Sequence, residues 1–441
     1  MKKQHPLRVG LFVVMSLSLL VLDSQLAVSD QQDPLYSAKG SELQFSETVV
    51  LPRGEGEFVT VRHIVIRGSN RAIGKKLAEI ARERYRVGLV KNPDPIYGKA
   101  RLSYMERNDP ILLERMRGVA DAYGVDLAEG QYDLSSLPYN FGPPTSCSMI
   151  CFPGSTTQSG HGLIVRSMDY SNGTLSEMLG RKPYPGEKDI FSEPYVMEVY
   201  PDEGYPSLYM SCADLLSGSW DGINSEGLCV FGLVDRGRPK NTVLTAGSRV
   251  IGLHPPQVMR LLLDTCANVE EAKVTMLENR IYDVAQGIHY LVADRHGNSF
   301  IFEVNHLDQQ AYITESQGKV QVMTNNPVWA LPPPEKIPRQ FVDEYDSLYR
   351  YQVLESLVKG HRGKYTFDFM VKANERVFPR KATNQLGGPA MTLRPVWQVV
   401  YDQSDVAMKI RFWLKDGKTD AEGRAELMMS DWFDFTLSKE G

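Results

Sequence analysis

Cys147 lies between two serines, in Thr145-Ser146-Cys147-Ser148-Met149, and follows a turn-rich approach from Tyr132 to Pro144 that holds Asn140, Gly142, Pro143 and Pro144. Small neighbours on both sides suit a chain that is cut at that cysteine, and the Gly/Pro/Asn-rich approach is a natural place for a break. Nineteen residues on, Arg166-Ser167-Met168-Asp169 supplies a cation and a carboxylate. No other feature constrains the chain as much. It implies cleavage of the Ser146–Cys147 bond, with Cys147 then the first residue of the mature protein and a nucleophile.

The first 29 residues read as a targeting segment. Lys2, Lys3 and Arg8 lead into a largely apolar run of 14 residues from Val9 to Leu22, too short for a comfortable membrane span. Ala27-Val28-Ser29 presents small residues for cleavage before Asp30. The alternative is an uncleaved signal anchor. A periplasmic or secreted location is expected, with no stable membrane span once the segment is removed. Its loss takes away three cations and Asp23, moving the formal charge from −5 to −7. A mildly acidic chain with scattered charge argues against a nucleic-acid partner. The 42% apolar content is enough for a sizeable core, in one large domain or two smaller ones.

Cysteine and histidine usage argues against a metal. Cys147, Cys151, Cys212, Cys229 and Cys266 contain no zinc-type spacing, and the eight histidines are scattered. An odd cysteine count in an exported protein leaves at least one free thiol. Neither a metal nor a bound cofactor is expected.

Hydrophobic periodicity predicts a strand over Thr60–Arg67 and a helix from Asn70 through Gly74 to about Val87, with Ile73, Leu77, Ile80 and Ala81 on one stripe. A second helix runs from Ile111 to Tyr123 and stops at Gly124. Beyond Cys147 strands take over. Ser148–Phe152 pairs with Leu163–Met168, followed by Tyr195–Tyr200, Ser207–Ser211 and a hairpin over Ser219–Val234 that turns at Asn224-Ser225-Glu226-Gly227. Helices are expected at Pro255–Cys266, Val269–Glu278 and Ser347–Val358. Further strands are expected at Ile288–Ala293, Ser299–Val304, Gln321–Thr324, Val396–Tyr401 and Ala407–Leu414. Runs of helices and runs of strands point to a layered α+β fold with largely antiparallel sheets.

A papain-like site has no local signature, and sequence cannot place His161 or His289 beside a cysteine. Leu216-Ser217-Gly218-Ser219-Trp220 does not meet the serine-hydrolase elbow pattern. An N-terminal cysteine needs no histidine: its own α-amino group, with a reference pKa of about 7.7–8.0, is a suitable base for its thiol. Arg166 would favour the thiolate and Asp169 would hold the amine. Residues three apart in a regular strand face opposite sides. Both therefore reach one site only if the strand ends or bends near Met168; otherwise they form a solvated ion pair. Cys151, 18 residues before Asp169, is a rival nucleophile, but bulky Ile150 and Phe152 flank it. Asn172-Gly173-Thr174 is a glycosylation sequon that matters only in a eukaryotic secretory pathway.

Several segments, in this order, resemble the acyl-coenzyme A:6-aminopenicillanic acid acyltransferase family, relatives of the choloylglycine hydrolases and penicillin V acylases and all N-terminal nucleophile hydrolases. They are Ile66-Arg67-Gly68-Ser69 with Ile73-Gly74, Glu114 to Ala120, Cys147-Ser148 with Gly154-Ser155, Arg166-Ser167-Met168-Asp169, Gly222-Ile223-Asn224-Ser225-Glu226-Gly227-Leu228, Thr324-Asn325-Asn326-Pro327 and Ser347-Leu348-Tyr349-Arg350-Tyr351. The resemblance implies a four-layer αββα sandwich. It implies Cys147 as nucleophile, Asp169 on its α-amine, Arg166 beside the thiol, Asn224 and Asn325 as donors to the substrate oxyanion, and Arg350 completing the site. From local sequence alone Asn224 starts a turn, Asn325 caps a loop and Arg350 snorkels over apolar surface. Val165 and Ser167 depart from the usual Gly and Asn, which bears on substrate contacts. Trp220, Phe231 and Trp329 stand near the motifs, as acyl-pocket lining or as core.

The expectation is an exported precursor that cuts itself into residues 30–146 and 147–441. It would act as a cysteine amidase or N-acyltransferase on a linear amide in a small molecule, through a thioester at Cys147, with water or an amine as acceptor. The alternatives are a binding protein without turnover on the same fold, and a thiol-dependent peptidase or lipid amidase.

Overall fold

The computed structural model describes residues 42–139, 146–171, 173–178, 181–189, 191–212, 214–236, 250–282, 287–305, 310–331, 346–383 and 391–438. The targeting segment, positions 140–145 of the approach to Cys147, and Asn172 of the sequon lie outside the described residues.

In chain order, β1 (Gln44–Leu51) and β2 (Val61–Gly68) precede α1 (Asn70–Tyr85), the short β3 (Val90–Lys91), α2 (Pro95–Asn108), α3 (Pro110–Tyr123) and β4 (Tyr132–Asp133). After them come β5 (Ser146–Phe152), β6 (Leu163–Ser171), a single turn α4 (Leu175–Met178), β7 (Tyr195–Pro201), β8 (Ser207–Ser211), β9 (Ser219–Asn224) and β10 (Cys229–Asp235). Helices α5 (Pro255–Thr265) and α6 (Val269–Glu278) lead to β11 (Gly287–Ala293), β12 (Ser299–Val304), β13 (Ala311–Glu315) and β14 (Gln321–Met323). The chain closes with α7 (Ser347–Gly360), α8 (Phe367–Glu375), β15 (Ala382–Thr383), β16 (Met391–Asp402), β17 (Ala407–Thr419), β18 (Ala425–Met429) and β19 (Phe433–Thr436).

Most predicted elements are present within a few residues. Caps explain the helix starts: the Ser69 side chain accepts from Ala72 N and Asp109 from Leu112 N, while Gly124, left-handed at φ 66°, ends α3. Among the longer elements, sequence periodicity missed β1, α2, β13, α8, β18 and β19. In α2 only Gly98, Arg101 and Met105 are buried, so its apolar stripe is weak. Strand β16 begins before Pro395 rather than after it, and its pairing with β6 is irregular between Pro395 and Trp397.

Among the described residues the strands form two large sheets. One has the order β1-β2-β7-β8-β9-β10-β11-β12-β13; the other runs β14-β5-β6-β16-β17-β18, with β15 and β19 attached. Every pair is antiparallel except β2 with β7. Strands β5, β7, β10 and β11 are buried at every position. Such strands are covered on both faces. One apolar cluster joins α1, α3, α5 and α6 to the larger sheet, a second lies between the two sheets, and a third joins the smaller sheet to α7 and α8.

The glycines in the two N-terminal motifs have a shared cause. A Cβ on Gly74 would lie 2.1 Å from Arg115 O, and one on Gly118 would lie 2.0 Å from Arg71 O. Helices α1 and α3 meet backbone to backbone only because both positions lack a side chain. The contact holds Arg115, whose guanidinium makes a buried ion pair with Asp264 at 2.7 Å.

Candidate active site

Cys147 is the second residue of β5, and its neighbours are fixed by register. It pairs across the strand with Met168, while Ser146 pairs with Asp169 and Met149 with Arg166. Side chains alternate along a strand. Cys147, Met149, Arg166 and Met168 therefore face the other sheet, whereas Ser146, Ser148, Ser167 and Asp169 face α7 and α8. Arg166 and Asp169 do lie on opposite sides of β6. They still flank one residue, because the Cys147 thiol leaves the strand on one face beside Arg166, and Ser146, the residue before it, is the register partner of Asp169, whose side chain is on the other.

On the thiol side, Cys147 Sγ lies 3.6 Å from both Arg166 Nη2 and Met168 Sδ. Arg166 is fully buried. It is ion-paired with Asp221 and donates to Trp220 O at 2.8 Å and Gly232 O at 3.1 Å. Burial opposes its charge, but Asp221 and the Cys147 thiol outweigh that and raise its pKa. Asp221 also accepts from Tyr401 Oη at 2.7 Å and Trp397 Nε1 at 3.3 Å. The guanidinium is thus locked in place by β9, β10 and β16.

On the other side, Asn325 Oδ1 accepts from Cys147 N at 2.9 Å and from Arg350 Nη2 at 2.7 Å. Its Nδ2 donates to Val234 O at 2.8 Å, and its own N donates to Ser347 Oγ at 2.7 Å. Ser347 opens α7 and Arg350 lies one turn on, so the Thr324-Asn325 and Ser347–Arg350 segments form one unit. Arg350 is 1% exposed and also donates to Cys147 O, so it does not snorkel over the surface. Burial pulls its pKa down to about 10, with Asp169 pulling the other way. Asp169 is fully buried, and burial pushes its pKa up to about 7, against the opposing pull of Arg350. Neither Asp169 oxygen has a well-formed hydrogen bond among the described residues, although the Ser167 hydroxyl is near enough to favour ionisation. The Ser146 hydroxyl opposite is likewise buried and unpartnered.

Asn224 is not brought to this cluster as an available donor. Its amide donates to Leu263 O at 3.1 Å and Cys266 O at 2.7 Å, and its oxygen accepts from Glu226 N and Leu228 N. All its capacity ties the β9–β10 turn to the end of α5. Asn224→Ala should therefore lower the thermal midpoint, by about 1–3 kcal/mol of stability for orphaned carbonyls, with kcat per folded molecule unchanged. A large kcat loss at an unchanged midpoint would contradict this placement.

The other candidates separate cleanly. Cys151 faces the inter-sheet core, where burial pushes its thiol up to about 12, and none of the five cysteines is in a disulfide. His161 bonds Asp402 at 2.8 Å and His289 bonds Glu303 at 3.0 Å, so each ring has a partner other than a cysteine. Phe231 is core, edge-on to Tyr401, and Trp329 stacks on Tyr312 at the surface. Trp220 contacts the site directly, its carbonyl accepting from Arg166. Sequence reading missed Asp221, Tyr401, Ser347 and the end of β10. None stands near Cys147 along the chain, and of these only Ser347 lies in a motif, the Ser347–Tyr351 segment, where Arg350 drew the attention.

No curated protein matches the chain. Among solved structures, it resembles a penicillin V acylase from Agrobacterium tumefaciens, with 16% identity, a TM-score of 0.41 and coverage of 66% of this chain and 86% of that one. It also resembles a mutant conjugated bile acid hydrolase from Clostridium perfringens, with 14% identity, a TM-score of 0.43 and coverage of 67% and 94%. Likenesses this distant do not bear on activity. The sequence profile of the acyl-coenzyme A:6-aminopenicillanic acid acyl-transferase family matches residues 156–412, a span that begins after Cys147 and takes in Arg166, Asp169, Asn325 and Arg350. That span is more than half of the chain, and the protein belongs to this family.

Proposed function

We propose that the protein is an exported, self-processing cysteine amidase or N-acyltransferase on an αββα sandwich, with Cys147 as nucleophile. The observation that carries this reading is the arrangement around the Ser146–Cys147 bond. A thiol beside a locked guanidinium lies on one face of the sheet, and the buried Asp169 carboxyl, with no well-formed hydrogen bond among the described residues, lies on the other. In the uncut chain the thiol attacks the Ser146 carbonyl carbon. A bond forms between Sγ and that carbon as the C–N bond breaks, the nitrogen takes up the thiol proton, and water hydrolyses the resulting thioester, which frees the thiol and leaves Ser146 as a carboxyl terminus. The freed α-amine then meets Asp169. In turnover this amine takes the thiol proton, the thiolate attacks the substrate amide carbon, the C–N bond breaks and the departing amine takes that proton, and water or an acceptor amine then cleaves the thioester to release the acyl group.

The test is the intact mass and N-terminal sequence of purified protein. Two chains, the larger starting at Cys147, are expected. A single chain in active protein would overturn the reading, and a single chain without turnover would favour a binding role.

Asp169 gives a second test. Its folded pKa lies above the ordinary carboxylate value, so the uncut chain is favoured while this carboxyl is protonated. That stability is fully present below about pH 4 and is lost as the pH rises through about 7. In a Cys147→Ala background, Asp169→Asn should stabilise the chain at pH 8 by up to about 4 kcal/mol, and by little at pH 4.5. Asp109, also raised to about 7 by burial, is common to both proteins and cancels. Parallel stability curves for the two variants would contradict the placement of Asp169. In cleaved enzyme the ammonium partner should remove most of this pH dependence.

A further inference from the structure

The geometry points to an anion-accepting aromatic subsite for the substrate, in the cavity beside the start of β7; this inference rests on the activity proposed above. The cavity has a volume of about 650 Å³, and Tyr85, Tyr139 and Phe191 line it together with Arg62, Arg86 and Arg181. Tyr85 stacks on Tyr139 with centroids 4.1 Å apart, so part of the wall is flat and aromatic.

The cavity is tied to the nucleophile through Phe191. This residue sits at φ 59°, a conformation that bulky side chains rarely adopt and that costs on the order of 1–3 kcal/mol. In it, the ring packs 4.0 Å from Tyr170 and 6.1 Å from Trp220. Trp220 is the residue whose carbonyl holds Arg166 beside the thiol. In the larger sheet β7 lies three strands from β10, where Arg166 reaches Gly232 O. At ~4.8 Å per strand the start of β7 is roughly 14 Å from that point of β10, within the length of an extended substrate arm.

Charge decides what the arm carries. Three acidic groups line the cavity: Glu187 accepts from Ser176 N and Tyr184 N, Glu193 pairs with Lys188, and Asp189, raised by burial, has Arg53 as its nearby cation; the arginines and Lys188 on the same walls outnumber them. Arg84 is paired with Glu47 at 2.6 Å. Arg62 touches Glu47 through Nε at 3.4 Å, but its buried Nη1 has no hydrogen-bond partner among the described residues. The Arg86 and Arg181 side chains make no ion pair or hydrogen bond with a described residue. An aromatic cavity with surplus guanidinium groups fits an arm bearing both an aromatic ring and a carboxylate or similar anion.

Calorimetry with 4-phenylbutyrate and its neutral counterpart 4-phenylbutan-1-ol tests this, on wild-type protein and on the Cys147→Ala chain. The acid should bind about tenfold more tightly than the alcohol. Arg86→Gln with Arg181→Gln should remove that preference and leave the alcohol's affinity unchanged, and Tyr139→Ala should weaken both probes. Both arginines lie at the surface, and an unchanged thermal midpoint would show that the double variant is folded. Equal affinities, no binding of either probe, or a preference that survives the double substitution would overturn the subsite. The readout is independent of turnover. Anion preference in a protein that hydrolyses no amide would leave the subsite standing and remove the proposed activity; turnover without the preference would do the reverse.

Discussion

Cys147→Ala should leave one uncleaved chain with no measurable amide turnover, a loss approaching ~10⁶ in kcat for removal of a covalent nucleophile. The fold should survive, because alanine fits the packed side of β5 and the backbone bonds to Asn325 and Arg350 persist. Cys151→Ala is the control. Its thiol is buried with a raised pKa, so cleavage and turnover should continue, with about 1–2 kcal/mol lost from the core. Gel mobility and mass report the cleavage, and alkylation of the native protein reports the reactive thiol. A Cys147→Ala chain that still splits before position 147, or a Cys151→Ala chain that does not split, would transfer the nucleophile's role.

Asn325→Ala should depress kcat by on the order of 10²–10³, the usual cost of removing one fixed donor to a developing oxyanion. In the uncut chain that donor, Nδ2, is engaged by Val234 O at 2.8 Å, so a substrate oxygen must compete with the end of β10 for it. The substitution is not silent for stability. Cys147 N and Arg350 Nη2 both lose their acceptor, which costs about 1–3 kcal/mol for each group left unsatisfied. The decisive quantity is therefore kcat per folded, processed molecule. Near-normal kcat with a lowered midpoint would make Asn325 a structural residue only, the outcome expected of Asn224 from its hydrogen bonds.

The two asparagines show how far local sequence reaches. Both stand in motifs that match the family pattern, and both begin turns. One turn delivers its amide to the Cys147 backbone, and the other spends its amide on the end of α5. Which carbonyls lie within 3 Å of a side chain is set by strand order and helix docking, and neither is written in the neighbouring residues. Arg350 makes the same point. On a helix of mixed character it looks like a surface arginine, and only the seating of α7 against β5 buries it over the Cys147 carbonyl.

The sequence by itself determined the strands around Cys147, the caps of α1 and α3, the β9–β10 turn and the grouping of Cys147 with Arg166 and Asp169. These follow from periodicity, cap chemistry and the pairing of adjacent strands, which act over a few residues or across one short connection. Only the tertiary structure decided that Arg166 and Asp169, on opposite faces of a strand in unbroken register with β5, both flank Cys147, and that Asp221, some fifty residues on, fixes the guanidinium. It also decided that Asn224 is spent elsewhere. The physical reason is that hydrogen bonds and ion pairs depend on distances of about 3 Å, while segments far apart in the chain are brought that close only by the packing of the two sheets.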